Sequence, residues 1–287
     1  MKLSVIIPCY NAATTIAEQL DSFSRQKWNQ SWEIIAVDNN STDNTVDILE
    51  RYRKRLPNIR IVRAPEKQGQ PYALNKGVQS ATGEALAFCD ADDVVAHGWV
   101  AAMGNALLSH DFVSGPFEVD FLNKDGLGKN RVNPQPTGIQ NYKYPPFLPH
   151  AGSGNMGVRK YVFDQVNGFD ESLPILFDTD FCWRVQGQGY KLHAVSGAIL
   201  HVRFRDTIRG LIRQARRYGE YNVFLYKRYR PLGMPKLSIK KGLREWWKLI
   251  LQSWKIAHKE TRGRWLWQLS WRLGRVWGCI KYRILAL

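Results

Sequence analysis

The sequence predicts an α/β fold in which a mixed, mostly parallel sheet is flanked by helices and followed by a basic helical extension. Short apolar runs alternate with amphipathic stretches over the first 90 residues, which is typical of parallel sheets. The last 87 residues hold 22 of the 41 Lys and Arg, but only four of the 25 acidic residues. An apolar fraction of 44% over 287 residues excludes intrinsic disorder and fits one large domain with an appendage.

Four segments are predicted to form strands, and the first of them is a short, continuous apolar run, as expected of a strand buried on both faces of a parallel sheet. They are Leu3–Ile7, Trp32–Val37, Ile59–Arg63 and Ala85–Cys89. Helices are predicted between them over Ala12–Arg25, Thr45–Arg55 and Tyr72–Gln79, and the second follows a polar run at 39–43 that can cap it. Right-handed crossovers through these helices make the strands parallel.

The alternation weakens after residue 93. We expect helices at 97–109, 159–166, 179–187 and 206–229, and extended chain at 111–119 and 190–202. Residues 123–150, rich in Gly, Pro and Asn, indicate a long loop, and such loops in compact domains are usually functional or mobile. Breaks at Pro231, Gly233 and Pro235 precede two more helices, which predicts a domain over 1–230 and an extension over 231–287.

Polar turns follow three of the predicted strands, at Pro8–Asn11, Asp38–Asp43 and Asp90–Asp93. Ligands bind to open parallel sheets at the carboxyl ends of the strands. In an extended segment, Asp90 and Asp92 would point the same way and repel each other unless a cation lies between them. Their hard oxygen atoms suit Mg²⁺ or Mn²⁺ bound together with phosphates. The same run would also serve as an ordinary Asp-rich turn or a helix cap.

Several segments, in this order, resemble glycosyltransferase family 2, the nucleotide-sugar transferases of the GT-A fold. They are Val5-Ile6-Ile7-Pro8-Cys9-Tyr10-Asn11, Val37-Asp38-Asn39-Asn40-Ser41-Thr42-Asp43, Ala73-Leu74-Asn75-Lys76-Gly77, Gly83-Glu84, Asp90-Ala91-Asp92, Gly154-Asn155-Met156-Gly157-Val158-Arg159, Gly168-Phe169-Asp170-Glu171 and Asp178-Thr179-Asp180. The resemblance covers about residues 3–220. It implies a single Rossmann-like sheet and an inverting transfer of sugar from a nucleoside diphosphate to an acceptor hydroxyl.

The resemblance also implies roles for individual residues. Those expected to bind the nucleotide sugar, with a UDP-sugar favoured, are Pro8, Tyr10, Asn11, Asp38, Asn40, Gly69, Asn75, Asp90 and Ala91. A divalent metal, Mg²⁺ or Mn²⁺, is expected on Asp92 and Asp90, with His201 either a third ligand or an ordinary histidine. Asp178 is the expected general base and Asp180 its rival. Gly154, Asn155 and Arg159 are expected on the acceptor side, where a carbohydrate or lipid-linked acceptor would bind.

The segment Gln214-Ala215-Arg216-Arg217-Tyr218 is similar to the Q-x-x-R-W element of processive family members. Arg216 or Arg217 would then neutralise the leaving diphosphate; otherwise they belong to a solvated basic helix face. The sequence departs from the family pattern at three positions. Phe177 replaces the Glu of the usual Glu-Asp pair, Leu74 replaces a common Arg, and Ala12 replaces a common acidic residue.

The C-terminal extension, 240–287, holds seven of the 11 Trp residues. Apolar residues recur at helical spacing in both of its predicted helices: Leu243, Trp246, Trp247, Ile250, Leu251, Trp254 and Ala257, then Leu266, Leu269, Leu273, Val276, Trp277, Ile280 and Ile284. Amphipathic helices rich in Trp and cations bind anionic membrane surfaces. Alternatively, these apolar rows pack on the catalytic body or pair in a dimer.

We expect a cytoplasmic protein, peripherally attached to the inner face of the membrane. Four cysteines without metal-site spacing fit a reducing compartment, and no apolar run reaches the length of a membrane span. The alternative function is a non-catalytic basic protein on a nucleotide-binding fold, bound to membrane or nucleic acid. Nucleic acid is not expected as a partner, because the charge is confined to the Trp-rich tail and no usual binding motif is present. The loop Pro8–Asn11 lacks the Gly, Arg and Lys of a sugar nucleotidyltransferase.

Overall fold

The computed structural model of the chain describes residues 1–125 and 131–286. The chain forms two compact units. The first comprises Met1–Leu122, Asn133–Gln140 and Pro149–Arg203, and the second comprises Asn123–Val132, Asn141–Leu148 and Phe204–Leu287.

The first unit is built on a seven-stranded sheet. In chain order, its strands and those of a small second sheet are β1 Leu3–Cys9, β2 Trp32–Asp38, β3 Ile59–Arg63, β4 Ala85–Phe88, β5 Val94–Val95, β6 Phe112–Ser114, β7 Phe117–Glu118, β8 Met156–Arg159, β9 His193–Ala194 and β10 Leu200–His201. Its helices are α1 Ile16–Ser24, α2 Thr45–Arg53, α3 Gln70–Ser80, α4 Trp99–Ser109, α5 Lys160–Gln165 and α6 Phe177–Gly187.

The strand order of the large sheet is β3-β2-β1-β4-β8-β6-β9, and the small sheet has the order β5-β10-β7. The first four strands are parallel, and β8 runs antiparallel to both of its neighbours, β4 and β6. The mixed, mostly parallel sheet flanked by helices is therefore confirmed, with β1–β4 within two residues of their predicted ends.

The sheet is buried on both faces, which explains the continuous apolar runs of its central strands. All of β1 except Pro8 is buried, and β4 is buried throughout. α1 covers one face with Ile16, Leu20 and Phe23, which share one side of the helix because they are three or four residues apart. This rigid layer fixes the turns at the strand ends.

The segment 123–150, expected to be one long loop, is divided between the two units. Within the first unit, Gln140 and His150 form an antiparallel bridge, and Gln135 Nε2 donates to the Gly115 carbonyl at 2.7 Å. Residues 126–130 of the predicted loop lie outside the described residues.

The second unit contains the helices α7 Ile208–Tyr229, α8 Ile239–Leu251 and α9 Lys259–Tyr282. α7, which the sequence assigned to the N-terminal domain, groups here with α8 and α9. A Cβ on Gly219 would lie 1.9 Å from the Trp271 carbonyl oxygen, so glycine is what lets α7 and α9 approach so closely. None of the helices in the described ranges is long and apolar enough to cross a membrane.

Candidate active site

Three acidic side chains converge directly after β4. Within the described ranges, Asp90, Asp92 and Asp93 form the group of possible metal ligands whose oxygen atoms lie within 4.8 Å of one another. The sequence placed Asp90 and Asp92 on an extended segment; the structure has a turn at 91–92 instead, which also brings Asp93 into the group. Asp93 was not among the predicted metal ligands, although it directly follows Asp92 in the sequence.

Burial raises the pKa of Asp93 well above its usual range, and repulsion from Asp92 and Asp90 raises it further. Only 4% of the Asp93 surface is exposed. A positive charge among these carboxylates would relieve that repulsion, and carboxylate oxygens are the ligands that Mg²⁺ and Mn²⁺ prefer. The donor set therefore fits a divalent cation.

Two glutamines hold the first carboxylate of the cluster in place. Gln70 Nε2, on the first turn of α3, donates to Asp90 Oδ1 at 2.7 Å. Gln19 Nε2, on α1, donates to the backbone carbonyl of Asp90 at 3.0 Å. The sequence patterns gave no signal for either contact, because both join distant parts of the chain.

Arg203 holds the other two acidic residues. Its backbone N–H donates to Asp93 Oδ1 at 2.8 Å, and its Nε donates to the Asp92 carbonyl at 3.0 Å. Its Nη2 donates to Glu18 Oε2 at 2.6 Å. Arg203 thus ties the acidic turn to α1, and it too was missed from the sequence.

The short 3-10 turn Ser153–Asn155 lies against this cluster. A Cβ on Gly154 would stand 2.9 Å from Asp90 Oδ2, so any larger residue would require the carboxylate or the turn to shift. On the same turn, the Ser153 N–H donates to Asp178 Oδ2 at 3.3 Å. The structure therefore brings Asp178, Gly154 and the acidic cluster together.

Asp178 lies in the first turn of α6. Its Oδ1 accepts a hydrogen bond from the Thr179 N–H at 2.7 Å. Burial raises the pKa of Asp178, and the hydrogen bonds from Thr179 and Ser153 only partly offset that effect. A carboxylate with a raised pKa is better suited to accept a proton near neutral pH than an ordinary aspartate.

Asp180, the expected rival base, forms a buried ion pair with Arg184. Its side chain is fully buried, and its Oδ2 accepts from Arg184 Nε at 2.7 Å. Arg184 Nη2 also donates to the Gly168 carbonyl at 2.7 Å. The Asp180 carboxylate is thus enclosed and paired with Arg184, which favours Asp178 as the base, and the choice between the two stays a prediction.

The turns after β1 and β2 lie side by side at the carboxyl end of the sheet, where Cys9 pairs with Asp38. The nearly buried Asp38 carboxylate accepts from Arg63 Nη1 at 3.0 Å and from the Ser41 N–H at 3.3 Å. Asn11 Oδ1 accepts from the Thr42 N–H at 2.8 Å, which joins the two turns.

Other residues of these turns keep the expected location at the sheet edge. Half of the Tyr10 surface is exposed, at 52%, while Pro8 is partly buried and Ala91 is buried. Asn11 and Asn40 have positive φ values, 49° and 66°, which asparagine tolerates better than most residues.

Asn39, a buried residue with no predicted role, fixes the backbone that leads into α3. Asn39 Nδ2 donates to the carbonyls of Ala64 at 2.6 Å and Lys67 at 2.8 Å. Its Oδ1 accepts from the Gly69 N–H at 2.8 Å. Gly69 therefore lies where expected, directly before Gln70, the residue that holds Asp90.

Asn75 is oriented away from the role expected for it. Its Nδ2 donates to the Phe169 carbonyl at 2.9 Å and to Glu171 Oε1 at 3.0 Å, and its Oδ1 accepts from the Phe169 N–H at 3.0 Å. These contacts occupy the amide and fix the 168–171 segment. Asn75 thus links α3 to the 168–171 segment, and its contact with a nucleotide sugar stays a prediction.

Two of the three residues expected on the acceptor side are also structural. The fully buried Asn155 bonds through Oδ1 to Trp99 Nε1 at 2.8 Å and through Nδ2 to the Pro116 and Ala198 carbonyls at 3.0 and 2.9 Å. Arg159 pairs with Ala85, at the opposite end of β4 from the acidic cluster. Of the three, Gly154 alone lies beside the cluster.

His201 lies outside the group of converging carboxylates. Its Nδ1 contacts Glu118 Oε2 at 2.6 Å, and its ring packs 4.5 Å from that of Phe121. Burial tends to raise the Glu118 pKa, but hydrogen bonds from His201 and from the Asp120 and Phe121 N–H groups hold it below its usual value. A carboxylate on Nδ1 orients a histidine so that Nε2 can bind a metal.

Two exposed arginines and two buried apolar residues complete the positions that the sequence singled out. Arg216 and Arg217 are exposed on α7 of the second unit, and their contact with a diphosphate stays a prediction. Phe177 is buried, with its ring 5.3 Å from that of Phe169, so an aromatic contact replaces the family's usual acid. Leu74 is buried as well.

A family model described as glycosyl transferase family 2 matches residues 4–166, which is more than half of the chain. The chain belongs to this family. It is 39% identical over 97 residues to the poly(ribitol-phosphate) beta-glucosyltransferase of Bacillus spizizenii. That match covers 33% of this chain but only 15% of the relative's length.

Two solved structures share the fold. A mannosyltransferase from Pyrobaculum calidifontis, in complex with GDP-Man and Mn²⁺, has a TM-score of 0.65 at 18% identity, with 97% of this chain and 87% of that chain covered. Residues 1–349 of Staphylococcus aureus TarS, in complex with UDP, have a TM-score of 0.55 at 19% identity, with 99% and 91% covered. At these identities the likeness establishes the fold, and the expected GT-A architecture is confirmed.

Proposed function

We propose that the chain is an inverting glycosyltransferase that moves a sugar from a nucleoside-diphosphate sugar to an acceptor hydroxyl. One observation carries the proposal: the acidic cluster and Asp178 flank the same turn, Ser153–Asn155. A group that binds the diphosphate through a cation and a group that accepts a proton thus lie within reach of one donor and one acceptor. Family membership supports the reaction class.

The donor is proposed to be a UDP-sugar. The structural neighbours support a nucleotide sugar, since TarS was solved with UDP and the Pyrobaculum enzyme with GDP-Man. In this chain, the exposed Tyr10 ring offers a surface on which a base can stack. The Asp38 carboxylate, fixed by Arg63 and Ser41, offers an acceptor for a base or ribose N–H or O–H.

A divalent cation, Mg²⁺ or Mn²⁺, would be held by Asp92 and Asp90, with His201 as a further candidate ligand. When bound, it would supply positive charge that stabilises the departing diphosphate. Gln70 and Arg203 keep the acidic turn in place before any ligand arrives, so little reorganisation is needed.

Asp178 is proposed as the general base. Its carboxylate takes the proton of the acceptor hydroxyl while that oxygen attacks the anomeric carbon. The new bond forms on the face opposite the diphosphate, whose bond to the sugar breaks with its electron pair, so the configuration inverts. Gly154, which carries no side chain, lets the turn that contacts Asp178 lie directly against Asp90.

The acceptor is proposed to be a carbohydrate or lipid-linked intermediate of a cell-envelope polymer. The name of the Bacillus spizizenii relative, a poly(ribitol-phosphate) beta-glucosyltransferase, supports this class. All four cysteines, each within the described ranges, are unpaired, which fits a cytoplasmic location. Attachment to the inner face of an anionic membrane through 240–287 would place the enzyme near such an acceptor.

Thermal unfolding with UDP, GDP and Mn²⁺ tests the donor and metal site, because a ligand that binds the native state raises the melting temperature. We expect UDP and Mn²⁺ together to raise it more than either alone. Asp92→Asn should remove the part of the shift that depends on Mn²⁺.

Asp47→Asn, on the exposed surface of α2, is the matched control and should keep the full shift. If Asp92→Asn and Asp47→Asn behave alike, the acidic cluster is not the metal site. If no nucleotide shifts the wild-type melting temperature, a non-catalytic role on the same fold replaces the proposal.

A further inference from the structure

α8 presents an apolar row to the outside of the protein. Ile239, Leu243, Trp247, Ile250 and Leu251 recur at helical spacing, and each is exposed. Trp247 is 62% exposed and Leu251 60% exposed. Large apolar side chains gathered on one exposed face indicate a surface that binds a partner.

This row is not the side on which α8 packs. The buried residues of α8 are Gly242 and Leu249, about a third of a turn or more from the centre of the exposed row. On that packed side, Trp265 Nε1 of α9 donates to the Leu249 carbonyl at 3.1 Å. α8 is therefore fixed on α9 by one side and leaves its apolar row uncovered by any described residue.

A row of cations runs beside the apolar row. Lys240, Arg244 and Lys248 follow each other at intervals of four residues, and all three are exposed. Between 236 and 258 the sequence has six Lys or Arg and a single acidic residue, Glu245. Glu245 pairs with Lys248 at 3.0 Å and lies 3.8 Å from Arg272, so the positive charge of the row comes mainly from Lys240 and Arg244.

Most aromatic residues of α9 contact other residues of the second unit. The Arg131 guanidinium lies 4.8 Å above the Trp267 ring, and Arg275 lies 4.7 Å above the Trp271 ring. Three apolar residues of α9 stay exposed, Leu273, Trp277 and Ile280, but the neighbouring Lys281 is neutralised by Glu220 at 2.6 Å. The combination of an apolar row with an unbalanced cationic row belongs to α8.

We propose that α8 is the membrane-binding element, and that it lies flat on an anionic bilayer. Its apolar row enters the boundary between headgroups and acyl chains, and Lys240, Arg244 and Lys248 contact the lipid phosphates. Lysine and arginine stems can lie along the apolar boundary while their charges stay in the headgroup layer. The inference rests on the proposed function in one respect, since it places the transferase where a lipid-linked acceptor is available.

The test is binding of the full chain to vesicles, measured by co-sedimentation and by the blue shift of tryptophan emission. We expect binding to phosphatidylcholine vesicles that contain phosphatidylglycerol, and much weaker binding to phosphatidylcholine alone. Leu243→Ser with Trp247→Ser should weaken binding at least about tenfold, since the apolar row is then interrupted. Lys240→Gln and Arg244→Gln should each weaken it about fivefold.

Two variants serve as matched controls. Leu232→Ser removes an exposed apolar residue outside α8, and Trp277→Ser removes an exposed tryptophan of α9. Both should bind within about twofold of the wild type. Circular dichroism checks that every variant keeps its helices.

The proposal is overturned if Trp277→Ser abolishes binding while the α8 variants bind normally, or if vesicle charge has no effect. It is also overturned if light scattering shows a dimer that the α8 double variant converts to a monomer, because a second copy then covers the row. Vesicle binding needs no donor, so its failure leaves the proposed reaction untouched. Conversely, Asp92→Asn should bind vesicles normally.

Discussion

The two compact units of the chain differ in how they place charged and apolar side chains around their candidate binding surfaces. The first unit buries acidic groups, among them Asp93 and Asp180, while its large apolar side chains fill the core. The second unit leaves apolar residues such as Trp247 and Leu251 on its surface. Both arrangements cost stability, since a buried charge loses its hydration and an exposed apolar residue gives up about 25 cal/mol per Å² of surface not buried.

The difference shows what each unit can bind. Buried acids held by fixed donors form a site for a small charged ligand, because the protein has already removed the competing water. An exposed apolar row next to cations fits an extended surface with both apolar and anionic components. Under the proposals above, the first unit would carry out the chemistry, and the second would provide the surface for attachment.

The same contrast exists on a smaller scale within α6. Asp178 and Asp180 are two residues apart, which places them about 200° apart around the helix. Asp178 is in contact with the turn at the acidic cluster, whereas Asp180 points into the core and bonds to Arg184. Substitution of these two residues separates catalysis from stability.

The largest expected effect is that of Asp178→Asn. Loss of the general base should lower kcat by about 10² to 10⁴. UDP should still raise the melting temperature of the variant, because the nucleotide contacts are untouched. Steady-state transfer assays with a UDP-sugar measure the loss, and full activity in this variant would assign the base to another residue.

Asp180→Ala should act on stability rather than on chemistry. Removal of one member of a buried ion pair costs about 3–5 kcal/mol, because the Arg184 charge is left without its partner. Urea unfolding measures the loss, and kcat per folded molecule should stay close to that of the wild type. A large fall in kcat with normal stability would return Asp180 to the catalytic site.

Much of the first unit could be predicted from the sequence. Strands β1–β4 are rich in apolar residues and polar turns follow β1, β2 and β4, and the order of the motifs along the chain points to the family. Asp90 and Asp92 were found because the chemistry of paired carboxylates is visible in the residue types. The parallel sheet then guarantees that the turns meet at one edge.

The orientation of individual side chains could not be predicted. Asn155 lies in the family's acceptor-side segment, but its amide points inward to Trp99, Pro116 and Ala198. Asn75 likewise bonds to the 168–171 segment. A motif gives spacing along the chain, whereas hydrogen bonds such as that of Gln70 to Asp90 depend on packing between distant segments.

In the second unit the helices were predicted, but not which of their faces would be covered. Both α8 and α9 have apolar rows at helical spacing, and the spacing alone does not distinguish the row that is covered from the row that is exposed. Packing of α9 on α7 depends on Gly219, where the two helices approach each other closely. Hydrophobic periodicity in the sequence does not reveal this contact. That packing leaves α8 as the helix with its apolar row outside.

Gly154→Ala should have a smaller effect than either acid variant. The added Cβ would lie 2.9 Å from Asp90 Oδ2, so the carboxylate or the turn must shift. We expect about a tenfold loss of kcat/KM, in line with overpacking costs of 1–3 kcal/mol. Transfer assays at several Mn²⁺ concentrations should show the apparent Mn²⁺ affinity falling as well.

Gly187→Ala is the matched control, because it adds the same methyl group at the end of α6, where no atom lies within 4 Å. Alanine in a helical position should leave activity unchanged and stabilise the protein by about 0.4–1 kcal/mol. Equal losses of activity in the two variants would contradict a specific contact between Gly154 and Asp90.

The smallest expected effect is the pH dependence of stability at Asp178. Its pKa is raised in the folded state, so the carboxyl stabilises the fold below about pH 4, the ordinary range of an aspartate, and that contribution is lost as the pH rises through the folded pKa. Asparagine stays neutral throughout. Asp178→Asn should therefore melt at the same temperature as the wild type at low pH and at a slightly higher temperature at pH 7. A variant that melts lower at pH 7 would show that the ionised carboxylate stabilises the fold, which would contradict the raised pKa.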